Sequence, residues 1–290
     1  LAADGFELSR KAVQRLVVSG SVSMDGRVRT FPSATVVTGS RLVCDLGAAS
    51  SRRPAADRDA RRRADRAGGA DRAATASPTL GEDAVRYEDD WIVVVDKPAG
   101  LPTHATIDPD RPHLHGLVAE LLARRAGAGA ERPYLAVHHR LDRDTTGLVL
   151  FAKDRSANAA LAEAFAGRQV AKEYLAVCRG TFGQASWTVR DHLGRLSPRD
   201  RAARYGRVAA GGSFAETDFR LLRRGPRGTA LVEARPRTGR THQIRVHLAG
   251  GGTPIVGDVL YGGPPGPRVL LHAAGLALPH PCRPGTVSVR

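Results

Sequence analysis

His139-Arg140-Leu141-Asp142-Arg143-Asp144-Thr145-Thr146-Gly147 runs directly into Leu148-Val149-Leu150-Phe151. The second half is a short apolar run, which predicts a buried strand. The first half places a carboxylate between arginines just before that strand. Nearby positive charge favours the charged form of such an acid, and an ionised carboxylate can act as a nucleophile. An ordinary salt-bridged loop explains a lone Asp-Arg pair equally well, so the rest of the chain has to decide.

Outward from this stretch, further apolar runs rich in β-branched residues predict strands of one sheet at Trp91–Val95, Leu148–Ala152, Tyr174–Val177, Phe214–Leu222 and Thr229–Ala234. Helical spacing intervenes at Leu114–Arg125, at Ser156–Ala166, where Leu161 and Phe165 stand one turn apart, and at Thr241–Leu248. Strands and helices do not alternate regularly, so the expected fold class is α+β rather than a doubly wound parallel sheet. Lys172-Glu173-Tyr174-Leu175-Ala176-Val177 puts a tyrosine at the start of a strand. In Arg237-Thr238-Gly239-Arg240-Thr241-His242-Gln243-Ile244-Arg245-Val246-His247 a loop turns into a helix. With Thr241 as its N-cap, Ile244 and Leu248 share one face and Arg245 lies beside it, able to reach inward.

The sequence before the sheet reads as two further pieces. Over residues 1–47, Ser9 caps a basic helix with Val13, Leu16 and Val17 on its apolar face and Gly20 as its stop. Val22 and Met24 then precede Asp25-Gly26, a strong hairpin signal, with strand-like pieces at Ala34–Val37 and Arg41–Cys44. Residues 48–81 are Ala, Arg, Asp and Gly with almost no large apolar side chain, too little to offset the entropy of ordering, and are expected to be a flexible linker. Residues 82–290 form the main domain. The chain begins at Leu1 rather than Met, which points to an unusual start or a missing beginning of the first domain.

Composition narrows the partners. The 290 residues carry 44 Lys and Arg against 29 Asp and Glu, a formal net charge of +15, which favours a polyanion and above all nucleic acid. Only Lys11, Lys97, Lys153 and Lys172 are lysines; GC-rich coding inflates arginine, but it does not explain the excess of cations over acids. Cys44, Cys178 and Cys282 are too dispersed for a zinc ribbon or a disulfide framework, which fits a reducing cytoplasm. No run of about 18 apolar residues appears, so no membrane span is expected.

Taken together, these segments resemble the RluA-type pseudouridine synthases, which modify ribosomal and transfer RNA, from about residue 85 to residue 281. Val94-Val95-Asp96-Lys97-Pro98-Ala99-Gly100-Leu101 looks like that family's opening motif. Pro254-Ile255-Val256-Gly257-Asp258 with Leu260-Tyr261-Gly262, and the late Leu271-His272-Ala273, match in the family's order as well. Thr146 stands where serine is frequent and Thr253 where histidine is frequent. The abrupt end at Val289-Arg290 implies a shortened final strand. The resemblance implies a central, mostly antiparallel mixed sheet flanked by helices and loops. It makes Asp142 the catalytic aspartate, Tyr174 the active-site tyrosine, Arg245 the arginine paired with Asp142, and Arg140 the residue that holds RNA open where the target base has left the stack. It leaves open whether Asp142 attacks the sugar or acts only as a base. It implies no cofactor and no metal. The first 47 residues resemble the second helix and hairpin of the ribosomal-protein-S-four-like RNA-binding domain, which points to Arg10, Lys11, Arg15 and Arg27 as RNA contacts.

The chemistry fits these roles. Pseudouridine formation breaks a carbon–nitrogen glycosidic bond, turns the uracil and rejoins it through carbon five, with no redox agent or energy source. The target must be flipped from its helix at a cost of a few kcal/mol, which phosphate contacts offset. The arginines at 195, 199, 201, 204 and 207, and at 220, 223, 224 and 227, are candidates for those contacts. A metal hydrolase is disfavoured: His138, His139, His242, His247 and His272 show no ligand spacing, and their arginine neighbours repel a dication. A kinase catalytic loop is disfavoured because the leucine breaks the motif and no phosphate-cradling glycine loop precedes it. The alternative from another class is a non-catalytic RNA-binding or RNA-chaperone protein on the same fold, but binding alone has no use for a buried acid. Ribosomal RNA is the favoured substrate with transfer RNA open, and a monomer is the expected state.

Overall fold

The structure, a computed structural model, describes residues 22–24, 27–29, 42–44, 79–106, 108, 111–127, 133–197 and 203–290. The chain divides into two units, Leu1–Thr75 and Ala76–Arg290.

In the first unit, β1 (Val22–Met24), β2 (Arg27–Arg29) and β3 (Leu42–Cys44) form a three-stranded antiparallel sheet in the order β2-β1-β3. Met24 pairs with Arg27, so the two strands expected to flank Asp25-Gly26 do pair. The turn itself, the helix expected from Ser9, the strand expected at Ala34–Val37, and the candidate RNA contacts Arg10, Lys11 and Arg15 lie outside the described residues. Arg27 opens β2.

The second unit is built on one sheet. Its strands are β4 (Val85–Glu88), β5 (Ile92–Lys97), β6 (Ala136–Val137), β7 (Thr146–Ala152), β8 (Ala171–Arg179), β9 (Ser186–Arg195), β10 (Tyr205–Arg207), β11 (Ser213–Arg224), β12 (Thr229–Pro236), β13 (Leu271–Pro279) and β14 (Thr286–Val289). Helices α1 (Leu114–Ala126), α2 (Ala157–Ala166) and α3 (Gln243–Gly250) pack against it. The sheet runs β10-β9-β11-β12-β8-β13-β7-β5-β4, with β14 beside β13 and β6 beside β7. Among the described residues only β13 and β7 pair in parallel, so the sheet is mixed and mostly antiparallel, as expected.

β5 and β7 are apolar at almost every position because both of their faces are covered. Val93, Val95, Val149 and Phe151 meet Leu114, Leu117, Val118 and Leu121 of α1, while Ile92, Val94, Leu148 and Leu150 meet Ala157, Leu161 and Ala164 of α2. Alternation with period two sends successive residues to opposite cores. A third core joins β8, β11 and β12 to Ile244 and Leu248 of α3, the two residues expected to share a face.

Some boundaries differ from expectation. Leu80 is 5% exposed in the first core and its carbonyl accepts from Arg124 Nη2 at 2.9 Å, so the packed unit starts inside the stretch expected to be a linker. Tyr174 sits in the middle of β8 rather than at its start, because backbone pairing with β13 carries the strand back to Ala171 although that end is exposed and lacks an apolar run. α3 starts at Gln243 with His242, not Thr241, at the cap position. Strands β4, β6, β9, β10 and β13 escaped the sequence reading, because their short, alternating or alanine- and glycine-rich patterns lack the apolar run that marks a doubly buried strand, and β14 is the final strand expected near Val289.

Gly147 joins the Asp142 loop to β7 at the parallel seam. It has φ 112° and lies against β13, where an added Cβ would come 2.3 Å from the Ala273 carbonyl oxygen. Gly147→Ala is therefore expected to destabilise the protein by about 2–4 kcal/mol through backbone strain and overpacking together. Urea unfolding checks this, and a change under about 1 kcal/mol would show that the seam does not need a bare backbone there.

Candidate active site

Asp142 lies in a loop that distant parts of the chain fasten. His139 Nε2 accepts the backbone N–H of Leu150 in β7 at 2.9 Å. Burial holds that imidazole neutral, down to about 3, with Lys172 and His138 adding to the effect. Leu141 is 5% exposed and plugs the first core. Its N–H donates to Thr103 Oγ1 at 3.1 Å, and the same hydroxyl donates back to the Leu141 carbonyl at 2.9 Å. Fully buried Lys97 donates to the carbonyls of Pro98, Leu101 and Arg143, each at 2.9 Å. Burial lowers its ammonium to about 8, opposed by Asp144 and Asp142, and the three carbonyl acceptors favour the charged form. The opening motif thus has a structural task that the sequence reading did not assign: it ties the Asp142 loop to β5.

The three candidate catalytic side chains come together. Asp142, Tyr174 and Arg245 line one cavity of about 380 Å³, within the range of about 300–1,000 Å³ usual for ligand sites. Arg140, Lys172, Arg240 and His242 line it too. Tyr174 pairs with Ala234 on β12 and Ala273 on β13, so small side chains flank its ring on both neighbouring strands. Burial, and secondarily the Asp142 charge, push its phenol well above the ordinary value. Arg140 is exposed at the cavity wall.

The cation facing Asp142 is not one of its neighbours in sequence. Arg143 turns to Asp144, with Nε and Nη2 at 2.9 and 3.0 Å from its two carboxylate oxygens. Arg245 Nη1 lies 3.4 Å from Asp142 Oδ2. A second carboxylate, which sequence reasoning missed as a participant, holds that arginine far more tightly. Asp258, 1% exposed, receives Nε at 2.7 Å and Nη2 at 2.8 Å in a two-pronged pair. Arg245 is thereby aimed at Asp142 by Asp258, while Asp142 keeps its oxygens unlocked at a longer distance. His242 Nε2 is 3.8 Å from the same Oδ2. Asp258 lay within a quoted motif, but nothing in its neighbours announced that its partner stands 13 residues earlier.

The two arginine clusters differ in place. Tyr205, beside Arg204, meets His242 edge to face, which brings that point of the first cluster's backbone near the site, while Arg207 pairs with Asp191; residues 199 and 201 are outside the described residues. The second cluster sits at the far end of β11, where Arg224 pairs with Ala230, six residues from Pro236 at the cavity. At about 3.3 Å per residue that is roughly 20 Å away. Arg220 there is paired with Glu233 at 3.0 Å, and Arg224 donates to the Phe182 carbonyl at 2.7 Å. Arg224 is therefore set back from the cavity, while Arg220, opposite Glu233, stands at about half that distance.

Residues 91–250 match the family model described as RNA pseudouridylate synthase. Among curated relatives, an uncharacterized RNA pseudouridine synthase of Bacillus subtilis is 36% identical over 214 residues, covering 72% of this chain and 68% of that protein. The ribosomal large subunit pseudouridine synthase D of Xanthomonas campestris is 43% identical over 182 residues, covering 62% of this chain and 51% of that protein. The chain thus spans about half to two thirds of the length of these relatives. Among solved structures, human RNA pseudouridylate synthase domain containing 4 superposes with a TM-score of 0.58 at 28% identity, covering 71% of this chain and 87% of that one.

Removing Asp258 would leave a buried guanidinium without its tight partner. Asp258→Ala is expected to cost about 3–5 kcal/mol of stability, measured by urea unfolding. A loss below about 1 kcal/mol would show that Arg245 is positioned by something else.

Proposed function

Because the chain belongs to the RNA pseudouridylate synthase family, we propose that it isomerises uridine to pseudouridine in structured RNA, with ribosomal RNA as the favoured substrate and Asp142 as the nucleophile. The observation that carries this reading is the meeting of Asp142, Arg245 and Tyr174 on one cavity wall, with Arg245 braced from behind by Asp258.

The target uridine enters as an extruded nucleotide, because its anomeric carbon is out of reach within a helix. Exposed Arg140 and Arg240 at the cavity hold phosphates and the opened helix. Asp142 attacks carbon one of the ribose as the bond to ring nitrogen one breaks, and the electron pair leaves with the uracil. The ring turns in the cavity, carbon five bonds to the anomeric carbon, and the carboxylate departs. The proton lost from carbon five is balanced by the one gained at nitrogen one, so nothing is consumed.

Arg245 offsets the charge of Asp142 before attack and accepts contact again when the carboxylate is released. The long 3.4 Å approach suits this, since a fully engaged carboxylate would have to break a strong bond to react. Tyr174, held protonated by burial, offers its ring as a stacking surface for the freed uracil and its hydroxyl as a relay, rather than acting as a phenolate base.

Asp142→Asn keeps the shape of the site but removes the nucleophile. Pseudouridine formation in ribosomal RNA transcripts is expected to fall by at least about 10³-fold while RNA binding is retained; unchanged activity would instead favour a protein that only binds or remodels RNA. Mapping pseudouridines in total RNA from cells with and without the gene identifies the target. Arg140→Ala is expected to raise KM for RNA and lower the salt slope of binding by about one; a salt slope identical to that of the unaltered protein would remove Arg140 from the phosphate contacts.

A further inference from the structure

His242 stands at the turn into α3 with φ 58° and ψ 17°, a left-handed conformation that few non-glycine residues adopt. Holding it costs roughly 1–3 kcal/mol, and such strain collects where a side chain must be aimed. The turn does not need the imidazole, which makes no cap bond to the helix. Gln243 closes the turn instead: its Oε1 accepts from the Thr238 hydroxyl at 2.7 Å and from the Arg240 N–H at 2.9 Å. What His242 does is bridge two groups. Its Nδ1 is 2.7 Å from the Tyr261 hydroxyl, and its Nε2 is 3.8 Å from Asp142 Oδ2.

The Tyr261 hydroxyl also accepts the backbone N–H of Tyr205 at 3.0 Å. A phenol has one proton to give. If Nδ1 carried a proton, the phenol oxygen would face two N–H donors and its own hydrogen would have no described acceptor. With the phenol donating to Nδ1, every group at this junction is matched, and the ring proton must then sit on Nε2, facing Asp142. Burial keeps the Tyr261 phenol above its ordinary value, so it has that proton to give. Burial also keeps His242 lowered, with Arg245 and Arg140 adding to the effect against Asp142 and Asp258, so the ring is neutral near pH 7.

We infer that Tyr205, Tyr261 and His242 form a relay that fixes the Nε2–H tautomer of His242 and directs that uncharged donor at Asp142, making His242 and Tyr261 positioning residues for the nucleophile. The inference rests on the reading of Asp142 as the reacting carboxylate. A second cation here would quench Asp142; a neutral N–H facing one oxygen from 3.8 Å biases its position electrostatically and leaves the charge available. The loop that carries Asp258 to brace Arg245 also carries Tyr261 to brace His242, and the Tyr261 ring lies 5.0 Å beneath the Arg245 guanidinium. One loop thereby sets both donors that face Asp142.

Nitrogen-15 NMR of the imidazoles, with His242 assigned through His242→Gln, reads the tautomer directly in the full chain. The expected result is Nε2–H in the unaltered protein and a shift towards Nδ1–H in Tyr261→Phe. A Nδ1–H or doubly protonated ring in the unaltered protein, or the same tautomer in Tyr261→Phe, would overturn the relay. Kinetics supply the second arm. His242→Leu is expected to lose about 10–100-fold in kcat with KM for RNA unchanged, as a misplaced reacting group does. His242→Gln, which carries the same backbone strain but offers an amide donor, is expected to recover most of that loss. Equal losses in the two variants, or a loss carried by KM, would reject the positioning role. The NMR measurement needs no turnover, so absence of pseudouridine formation in the unaltered protein would sink the functional reading and leave the tautomer to decide the relay separately.

Discussion

The fork between Arg245 and Asp258 is the interaction on which the rest of the site depends. A guanidinium that is 5% exposed and a carboxylate that is 1% exposed are each costly to desolvate, and only two short, parallel N–H···O bonds offset that cost. Once made, the fork leaves Arg245 a single outward nitrogen, Nη1, which faces Asp142. Arg245 therefore serves two acids unequally: it is locked to the fully buried one and leans towards the half-buried one. That inequality lets Asp142 be accompanied by positive charge without being tied down.

The surrounding fold works to keep this geometry rigid. The Asp142 loop is fastened at His139, Leu141 and Arg143 to three different supports: the backbone of β7, the Thr103 hydroxyl and the Lys97 ammonium. Arg245 rides on α3, whose inner face, Ile244 and Leu248, packs into the core shared with β8, β11 and β12. Tyr174 stands on β8 in the middle of the sheet. Loop, helix and strand converge from three sides on one cavity, and each is anchored by contacts that reach beyond it: Lys97 and Thr103 hold the loop, and Leu248 seats the helix in the core. Mouth residues such as Arg140 and Arg240 are exposed by contrast, which suits contacts that must adapt to an RNA backbone.

Much of this was readable beforehand, and for definite reasons. The strands at Ile92–Lys97 and Thr146–Ala152 were legible because both of their faces are buried, which forces a continuous apolar run. Helices α1, α2 and α3 were found within about two residues from their spacing. Strands β9 and β11 lie towards the sheet's edge, where alternating polar residues dilute the signal: β11 was read only in part and β9 not at all. The cap of α3 was misplaced because a left-handed histidine is not a choice that helix-start preferences anticipate.

By itself, the sequence determined the fold class, the order of the main elements, and which acid, phenol and guanidinium to look for at one cavity, since those depend on local pattern and on motifs that are contiguous in the chain. Only the tertiary structure decided how they are held. The partner of Asp142 is 103 residues away in sequence, and its neighbour Arg143 turns to Asp144 instead. The partner of Arg245 lies across a loop, and the proton on His242 is set by a phenol 19 residues on. The reason is physical: a charge or a proton in a buried site is governed by whatever lies within a few ångströms, and chain folding rather than chain order fixes what that is.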